Sequence, residues 1–323
     1  MTDKKKVVVT DSTFNDLLIE KSILELLGLE VVGHQCRTPE ELAPVVANAD
    51  FVLTQFAPVN AEVIAAMTRC KVIVRYGIGV DNVDLKAAAA KNIPVCNVPD
   101  YCIDEVADHA LALILAATRQ IYPIVATVKG GQWKSPVPID AMRALKDMTA
   151  GLVGLGKIGR EVASRLKPFK CGIMAFDPVI PPDGMRAIGC NPVELKQLYA
   201  ESDLISLHCP STEKTRYMIN KESIAAMKRG VIIVNTSRGT LIKTPDLAEA
   251  LRAGKVAAAA MDVTDPEPIN GDSPLLGMSN VIITSHIAAI SSAAIKNLRE
   301  QTTGIAAKAA RGEKLPNVVN GVK

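Results

Sequence analysis

The stretch Gly151-Leu152-Val153-Gly154-Leu155-Gly156-Lys157-Ile158-Gly159 holds three glycines in the spacing G-x-G-x-x-G, and its surroundings decide the fold. A short apolar run leads into it, an amphipathic stretch from Arg160 to Leu166 leaves it, and Ile173-Met174-Ala175-Phe176-Asp177 follows. In such a strand–turn–helix–strand unit each glycine has a task. The first makes the tight turn, the second lets backbone approach a pyrophosphate, and the third lets the helix pack closely on the strand. The helix N-terminus adds unbonded N–H groups and partial positive charge. Asp177 stands 18 residues beyond Gly159, where a carboxylate accepts hydrogen bonds from both hydroxyls of an adenosine ribose. Its charge repels a 2′-phosphate, so the cofactor expected here is NAD rather than NADP.

Outward from this loop the chain alternates short β-branched runs with longer amphipathic ones. Downstream, strands are expected at Gly151–Leu155, Ile173–Asp177, Leu204–His208, Val231–Asn235, Ala257–Val263 and Val281–Thr284. These six make a doubly wound parallel sheet. Upstream, strands are expected at Val7–Thr10, Val31–Val32, Phe51–Thr54, Val72–Tyr76 and Pro94–Val98, with helices at Asp16–Leu27 and Ala61–Met67. A long helix is expected from Glu105 to Gln120. The stretch from Lys129 to Pro138, with the single Trp133, reads as an arm or linker, and Ala293–Ala310 as a last helix.

Composition agrees with two α/β units. A chain of 323 residues is about twice a usual domain, and with 3% aromatic residues its core must be aliphatic. The net charge of +3 gives no large basic field, so nucleic acid and membrane surfaces are not expected partners. No signal peptide is expected from the start, and no membrane span from the apolar run Ala110–Ala117. Seven scattered cysteines without a C-x-x-C pair point away from disulfides and zinc, so no metal and a cytoplasmic setting are expected.

Four histidines are available for proton chemistry. His34 has no evident partner. His109 lies one turn after Glu105, the position of a packed or i,i+4-paired side chain. His208 ends a strand before Cys209-Pro210 and is placed at the cofactor cleft. His286 follows Val281–Thr284 at the carboxyl edge of the sheet, where open α/β sheets bind ligands. Arg238 and Glu267 follow other strands to the same edge. An imidazolium backed by a carboxylate, beside an arginine, suits proton donation to a 2-keto acid as hydride reaches its carbonyl carbon. By position alone, three unrelated loop residues fit as well. The turn Gly77-Ile78-Gly79 after another strand reads equally as a carboxylate-binding nest or a plain turn.

At these residues the sequence resembles the D-isomer-specific 2-hydroxyacid dehydrogenases, the family of phosphoglycerate, glycerate/hydroxypyruvate and D-lactate dehydrogenases. The likeness runs from about Val72 to Asn320. It is carried by Gly77–Asp84, Gly151–Gly159, Asn235–Gly239, and Ala260–Pro268 with Ser285-His286. It implies Arg238 for substrate binding, Glu267 as partner of the histidine and His286 as general acid/base, with Gly77, Ile78 and Gly79 on the substrate carboxylate. It places Gly154, Gly156, Lys157, Ile158 and Gly159 at the pyrophosphate and Asp177 at the ribose. Cys209 and Pro210 go to the adenine side, Thr236 to the nicotinamide side and Asp262 to the carboxamide. The implied fold is a Rossmann NAD domain, residues 102–292, inserted into a flavodoxin-like substrate domain, residues 1–101 and 293–323. Hinges fall near Tyr101 and Ser292, and an arm at about 120–147 makes a homodimer.

Some positions depart from the family pattern. Ser285 and Ala288 stand where Pro and Gly are usual, and Asp262-Val263-Thr264-Asp265 resembles the glycerate/hydroxypyruvate branch. Arg75 matches an arginine that phosphoglycerate dehydrogenases place near the distal phosphate, and is otherwise a strand-end surface residue. With no regulatory segment after residue 323, allosteric feedback is not expected. The competing expectation is an NADH-sensing scaffold like the corepressors of this fold. Formate and phosphite oxidation are enzyme alternatives, although formate dehydrogenases carry Gln at the position of Glu267.

Overall fold

The computed structural model describes residues 4–139 and 142–322. In chain order its elements begin with β1 (Lys6–Val9), α1 (Leu18–Leu24), β2 (Glu30–Gly33), α2 (Pro39–Val46), β3 (Phe51–Thr54), α3 (Ala61–Ala66), β4 (Val72–Arg75), α4 (Leu85–Ala90) and β5 (Val95–Cys96). There follow α5 (Ile103–Thr118), α6 (Ile121–Lys129), β6 (Thr149–Val153), α7 (Lys157–Leu166), β7 (Gly172–Phe176), α8 (Pro182–Ala187), β8 (Asn191–Pro192) and α9 (Leu195–Glu201). The series ends with β9 (Leu204–Leu207), α10 (Lys221–Ala226), β10 (Val231–Asn235), α11 (Thr244–Arg252), β11 (Val256–Met261), β12 (Val281–Ile283) and α12 (Ser292–Arg311). The chain divides into two compact units, Met1–Tyr101 with Ser291–Lys323, and Cys102–Ile290.

The first unit is built on a parallel sheet of order β2-β1-β3-β4-β5, the flavodoxin-like order. Its inner strands are covered on both faces, so Val7-Val8-Val9 and Phe51-Val52-Leu53 are fully buried and read as unbroken apolar runs. The helix foreseen over Asp16–Leu27 is shorter: α1 passes into a 3₁₀ turn, Glu25–Leu27, and Gly28 ends it in the left-handed conformation. The chain's last segment belongs to this unit. Val318 bridges Cys96, and the Val319 N–H donates to the Val95 carbonyl at 2.9 Å. Arg299 of α12 donates through Nε and Nη2 to the two carboxylate oxygens of fully buried Glu20, at 3.0 and 2.7 Å. Its guanidinium lies 4.9 Å over the Phe14 ring.

The second unit carries seven parallel strands in the order β12-β11-β10-β9-β6-β7-β8, one more than the sequence pattern suggests. The addition, β8, has two residues, one of them Pro192, too short for any alternation to register. The order reverses between β6 and β9, as in a Rossmann sheet. The strand foreseen at Gly151–Leu155 runs two residues earlier, because Gly154 turns the chain at φ 95°. On one face of the sheet α5 buries Ala107, Ala110, Ile114 and Ala117.

The long helix stops at Thr118 rather than Gln120, and Gln120 at φ 53° turns the chain into α6, which the sequence reading missed. That helix leaves Ile121, Tyr122, Val125 and Val128 exposed, and Trp133 beyond it is 92% exposed. Asp140 and Ala141 of the expected arm lie outside the described residues. No single described helix is long and apolar enough to cross a membrane; α5 and α6 reach that length together but are bent by 66°.

The Arg299–Glu20 pair supplies a test of the first unit. Removing one partner strands a buried charge, so Arg299→Ala should cost about 3–5 kcal/mol of that unit's stability in urea unfolding. Arg299→Lys should cost less, because it keeps a cation.

Candidate active site

The second sheet's carboxyl edge is assembled strand by strand. After β6, Gly154 sits so close to the backbone of His208 and Cys209 that a Cβ would lie 2.8 Å from the His208 carbonyl. Gly159 packs back on this turn, and a Cβ there would stand 2.2 Å from the Gly154 oxygen. A Cβ on Gly156 would meet nothing, so open space lies over the amino end of α7, with Gly156 and Lys157 exposed. These features fit a pyrophosphate held by backbone N–H groups and a lysine. The Thr236 hydroxyl after β10 is buried without a partner at the same edge, a polar atom of the kind a bound nucleotide satisfies.

Asp177 follows β7. Its carboxylate already accepts from the Leu155 N–H at 2.8 Å, the Val179 N–H at 2.8 Å and the Ile180 N–H at 3.2 Å. The acid expected to meet a ribose therefore also ties the glycine turn to β7, a task the spacing did not reveal. His208 turns inward after β9, with its Nε2 2.9 Å from the Ser206 hydroxyl and its Nδ1 buried without a partner. Its backbone, rather than its ring, underlies the glycine loop. Cys209 is half-buried with its sulfur 3.8 Å from that of Met218, and burial pushes its thiol up to about 11, while Pro210 is exposed.

Arg238, Glu267 and His286 follow β10, β11 and β12. His286 Nδ1 is hydrogen-bonded to Glu267 Oε1, and both side chains are 40% exposed. Partial burial pushes the Glu267 carboxyl up, but His286, the Thr264 N–H and the nearby Arg238 charge outweigh it and hold it below its ordinary value. Glu267 thus remains an acceptor for an Nδ1–H, which turns Nε2 outward. Arg238 directs Nη1 to the Ser237 carbonyl at 2.8 Å, and its own carbonyl accepts from Asn235 Nδ2 at 2.8 Å. Gly239 beside it is pressed on the Glu267 loop, where a Cβ would stand 1.8 Å from the Thr264 oxygen.

One support of this edge escaped the sequence reading, and an expected residue has a further task. Tyr217, at φ 51°, donates its backbone N–H to the Thr240 carbonyl at 2.8 Å and its hydroxyl to Asp265 at 2.7 Å. It thereby joins the loops of Arg238 and Glu267. Asp262, expected at a carboxamide, is 1% exposed and directed at the His286 turn, accepting from Thr284 Oγ1 at 2.5 Å, Ile287 N at 3.0 Å and Ala288 N at 2.8 Å. His109, expected as a packed or i,i+4-paired side chain, has its Nε2 2.9 Å from Thr284 Oγ1.

In the first unit, the Gly77–Gly79 turn follows β4. The Gly77 carbonyl accepts from Val98 N at 3.0 Å and that of Ile78 from Asn97 Nδ2 at 2.6 Å. Arg75 folds back over the turn, so a Cβ on Gly77 would coincide with its guanidinium, which stands 5.9 Å from the Phe56 ring centre. A cavity of about 340 Å³, lined by Asp11, Thr13, Gln35, Arg37 and Phe56 among others, opens at the ends of β1, β2 and β3. None of these residues stood out in the sequence. All seven cysteines are free, and among the described residues no cluster of His, Cys, Asp or Glu is arranged to hold a metal ion.

Residues 111–288 match the model of the D-isomer specific 2-hydroxyacid dehydrogenase, NAD binding domain. The chain belongs to this family. It is 40% identical over 321 residues to the D-3-phosphoglycerate dehydrogenase of Methanocaldococcus jannaschii, covering 98% of this chain and 59% of that protein. It is 39% identical to the hydroxypyruvate reductase of Thermotoga maritima, covering 86% of this chain and 89% of the relative. Among solved structures it resembles a D-lactate dehydrogenase from Aquifex aeolicus complexed with NAD and lactic acid. That likeness has a TM-score of 0.85 at 29% identity, covering 95% of this chain and 96% of the other. The chain spans little over half the length of the curated phosphoglycerate dehydrogenases it matches.

The burial of His208 makes stability depend on pH. Loss of solvation lowers its ring from the usual 6.5 to about 4, so the unfolded chain binds this proton first. The contribution is complete above pH 6.5 and drains away as pH falls towards 4. Thermal unfolding midpoints should therefore drop more steeply over this window in the wild type than in His208→Gln; equal slopes would contradict the assignment.

Proposed function

We propose that this chain is an NAD-dependent oxidoreductase that moves a hydride between the nicotinamide and a small 2-keto acid or its D-2-hydroxy acid. Substrates of the hydroxypyruvate, glyoxylate or 3-phosphoglycerate type fit this reading. The observation that carries it is the half-exposed His286–Glu267 pair, on the same sheet edge as Arg238 and the Gly154–Gly159 loop.

Bound cofactor supplies or takes the hydride. The amino end of α7, with Gly154, Gly156, Lys157, Ile158 and Gly159, holds its pyrophosphate, and Asp177 receives the ribose hydroxyls on lone pairs its backbone donors leave over. Cys209 and Pro210 flank the adenine side, Thr236 offers its buried hydroxyl to the nicotinamide side, and His208 supports the loop from beneath. Asp262 takes the carboxamide only where its turn leaves an oxygen accessible.

Arg238 pairs with the substrate carboxylate and polarises the keto oxygen. His286, held at Nδ1 by Glu267, keeps a proton on Nε2 for that oxygen during reduction and removes it during oxidation. In the first unit Gly77, Ile78 and Gly79 receive the carboxylate, and Arg75 receives an anionic tail where one is present. Residues 1–101 and 293–323 are thus assigned to substrate and 102–292 to NAD. The exposed apolar side of α6 and Trp133 support a homodimer through the arm at about 120–147, and the free cysteines support a cytoplasmic setting.

His286→Ala should lower NADH oxidation with glyoxylate or hydroxypyruvate by about 10²–10⁴-fold, the scale of a lost general acid. NADH binding, followed by fluorescence, should persist. Retained turnover would remove the role given to His286. Asp177→Ala should raise the rate with NADPH relative to NADH; a wild type that uses both equally would contradict the repulsion of the 2′-phosphate.

A further inference from the structure

Three of the four histidines are accounted for by the site, its underside or an isolated position near a strand end. His109 is not, although it stands behind the turn that carries His286. Its Nε2 is 2.9 Å from the Thr284 hydroxyl, which is 2.5 Å from Asp262 Oδ1. Asp262 also accepts the Ile287 and Ala288 N–H groups, and its backbone carbonyl takes the His286 N–H at 2.8 Å. These bonds close around a turn in which His286 has φ 56°, a left-handed conformation uncommon for a residue with a side chain.

The direction of the chain follows from donor inventory. The oxygens of Asp262 take the Ile287 and Ala288 N–H groups and the Thr284 hydroxyl, all as acceptors. Thr284 then spends its one proton on Asp262 and has only lone pairs to offer His109. His109 Nε2 must therefore carry a proton, whether the ring is neutral or charged. The same nitrogen lies 3.7 Å from Asp262 Oδ1, so its proton is directed towards both members of the chain.

We propose that His109 is a positioning residue for the reaction: through Thr284 and Asp262 it holds the turn that aims His286. The proposal rests on the reading of His286 as the acid/base group. Without the imidazole donor the Thr284 hydroxyl is free to rotate, Asp262 loses one of its restraints, and the turn relaxes from φ 56°. NADH binding, anchored mainly by the glycine loop and Asp177 with the carboxamide contact of Asp262 a minor part, should be left unaltered.

The experiment compares His109→Phe, His109→Gln and Thr284→Val with the wild type. Glyoxylate and hydroxypyruvate serve as probes, under single-turnover conditions with saturating NADH. His109→Phe should slow the transfer about ten- to hundred-fold, the scale of a small misplacement at the reacting centre, with NADH affinity unchanged. His109→Gln, which returns an N–H donor at similar reach, should restore most of the rate. Thr284→Val should match His109→Phe, and the double variant should be no slower than either single one. Thr284→Val also carries the test should His109→Phe not fold.

Histidine-selective ¹⁵N spectra of the unliganded protein should show the Nε2–H form of His109 at neutral pH. A neutral His109 protonated at Nδ1, an unchanged rate in His109→Phe, or a glutamine variant as slow as phenylalanine would each overturn the proposal. An inactive His286→Ala beside a fully active His109→Phe would remove this proposal alone. A fully active His286→Ala would remove the functional reading and this proposal together.

Discussion

A carboxylate shut away from water persists only where donors surround it, and the second unit meets that condition at Asp262. The residue leaves the end of β11, and its oxygens collect the hydroxyl of Thr284 and the N–H groups of Ile287 and Ala288. Three separate segments thus become one rigid corner: the loop after β11, the turn after β12 and, through Thr284, helix α5. Glu267 comes from the loop that Asp262 begins, and His286 from the turn that it holds. The pair proposed as acid/base is therefore set by a buried aspartate that need not react itself.

The glycine loop follows the same logic of enforced closeness. Gly154 and Gly159 are pressed against backbone where no Cβ fits, and this brings β6, α7 and the end of β9 together. Asp177 closes the arrangement by accepting the Leu155 N–H. Polar groups at this edge are mostly committed to one another. Lys157 and the His286–Glu267 pair are exposed there and the Thr236 hydroxyl is unpaired, which suits a nucleotide and a small keto acid.

Much of this was legible in the chain because it is local. Glycines at fixed spacing between a strand and a helix, an acid at the next strand end, and polar residues after apolar runs all leave marks within about twenty residues. The misses are of another kind. His109 meets Thr284 across 175 positions, and Tyr217 meets Asp265 across 48, so no periodicity joins them. A tyrosine at φ 51° is one that local preference argues against, and only its two anchors explain it. Strand β8 is too short for pattern. Helix α6 lacks a buried face, so its apolar side reads as arm until the backbone is seen.

The most direct measurement is NADH oxidation at 340 nm by the wild-type chain against glyoxylate, hydroxypyruvate, phosphohydroxypyruvate, pyruvate, 2-oxobutyrate and sulfopyruvate, with NADPH in parallel. Turnover of at least one of these acids is expected, faster with NADH than with NADPH. Preference for an acid with an anionic tail would give Arg75 its substrate role. Tight NADH binding with no turnover of any of them would contradict hydride transfer to a 2-keto acid as the function of this site.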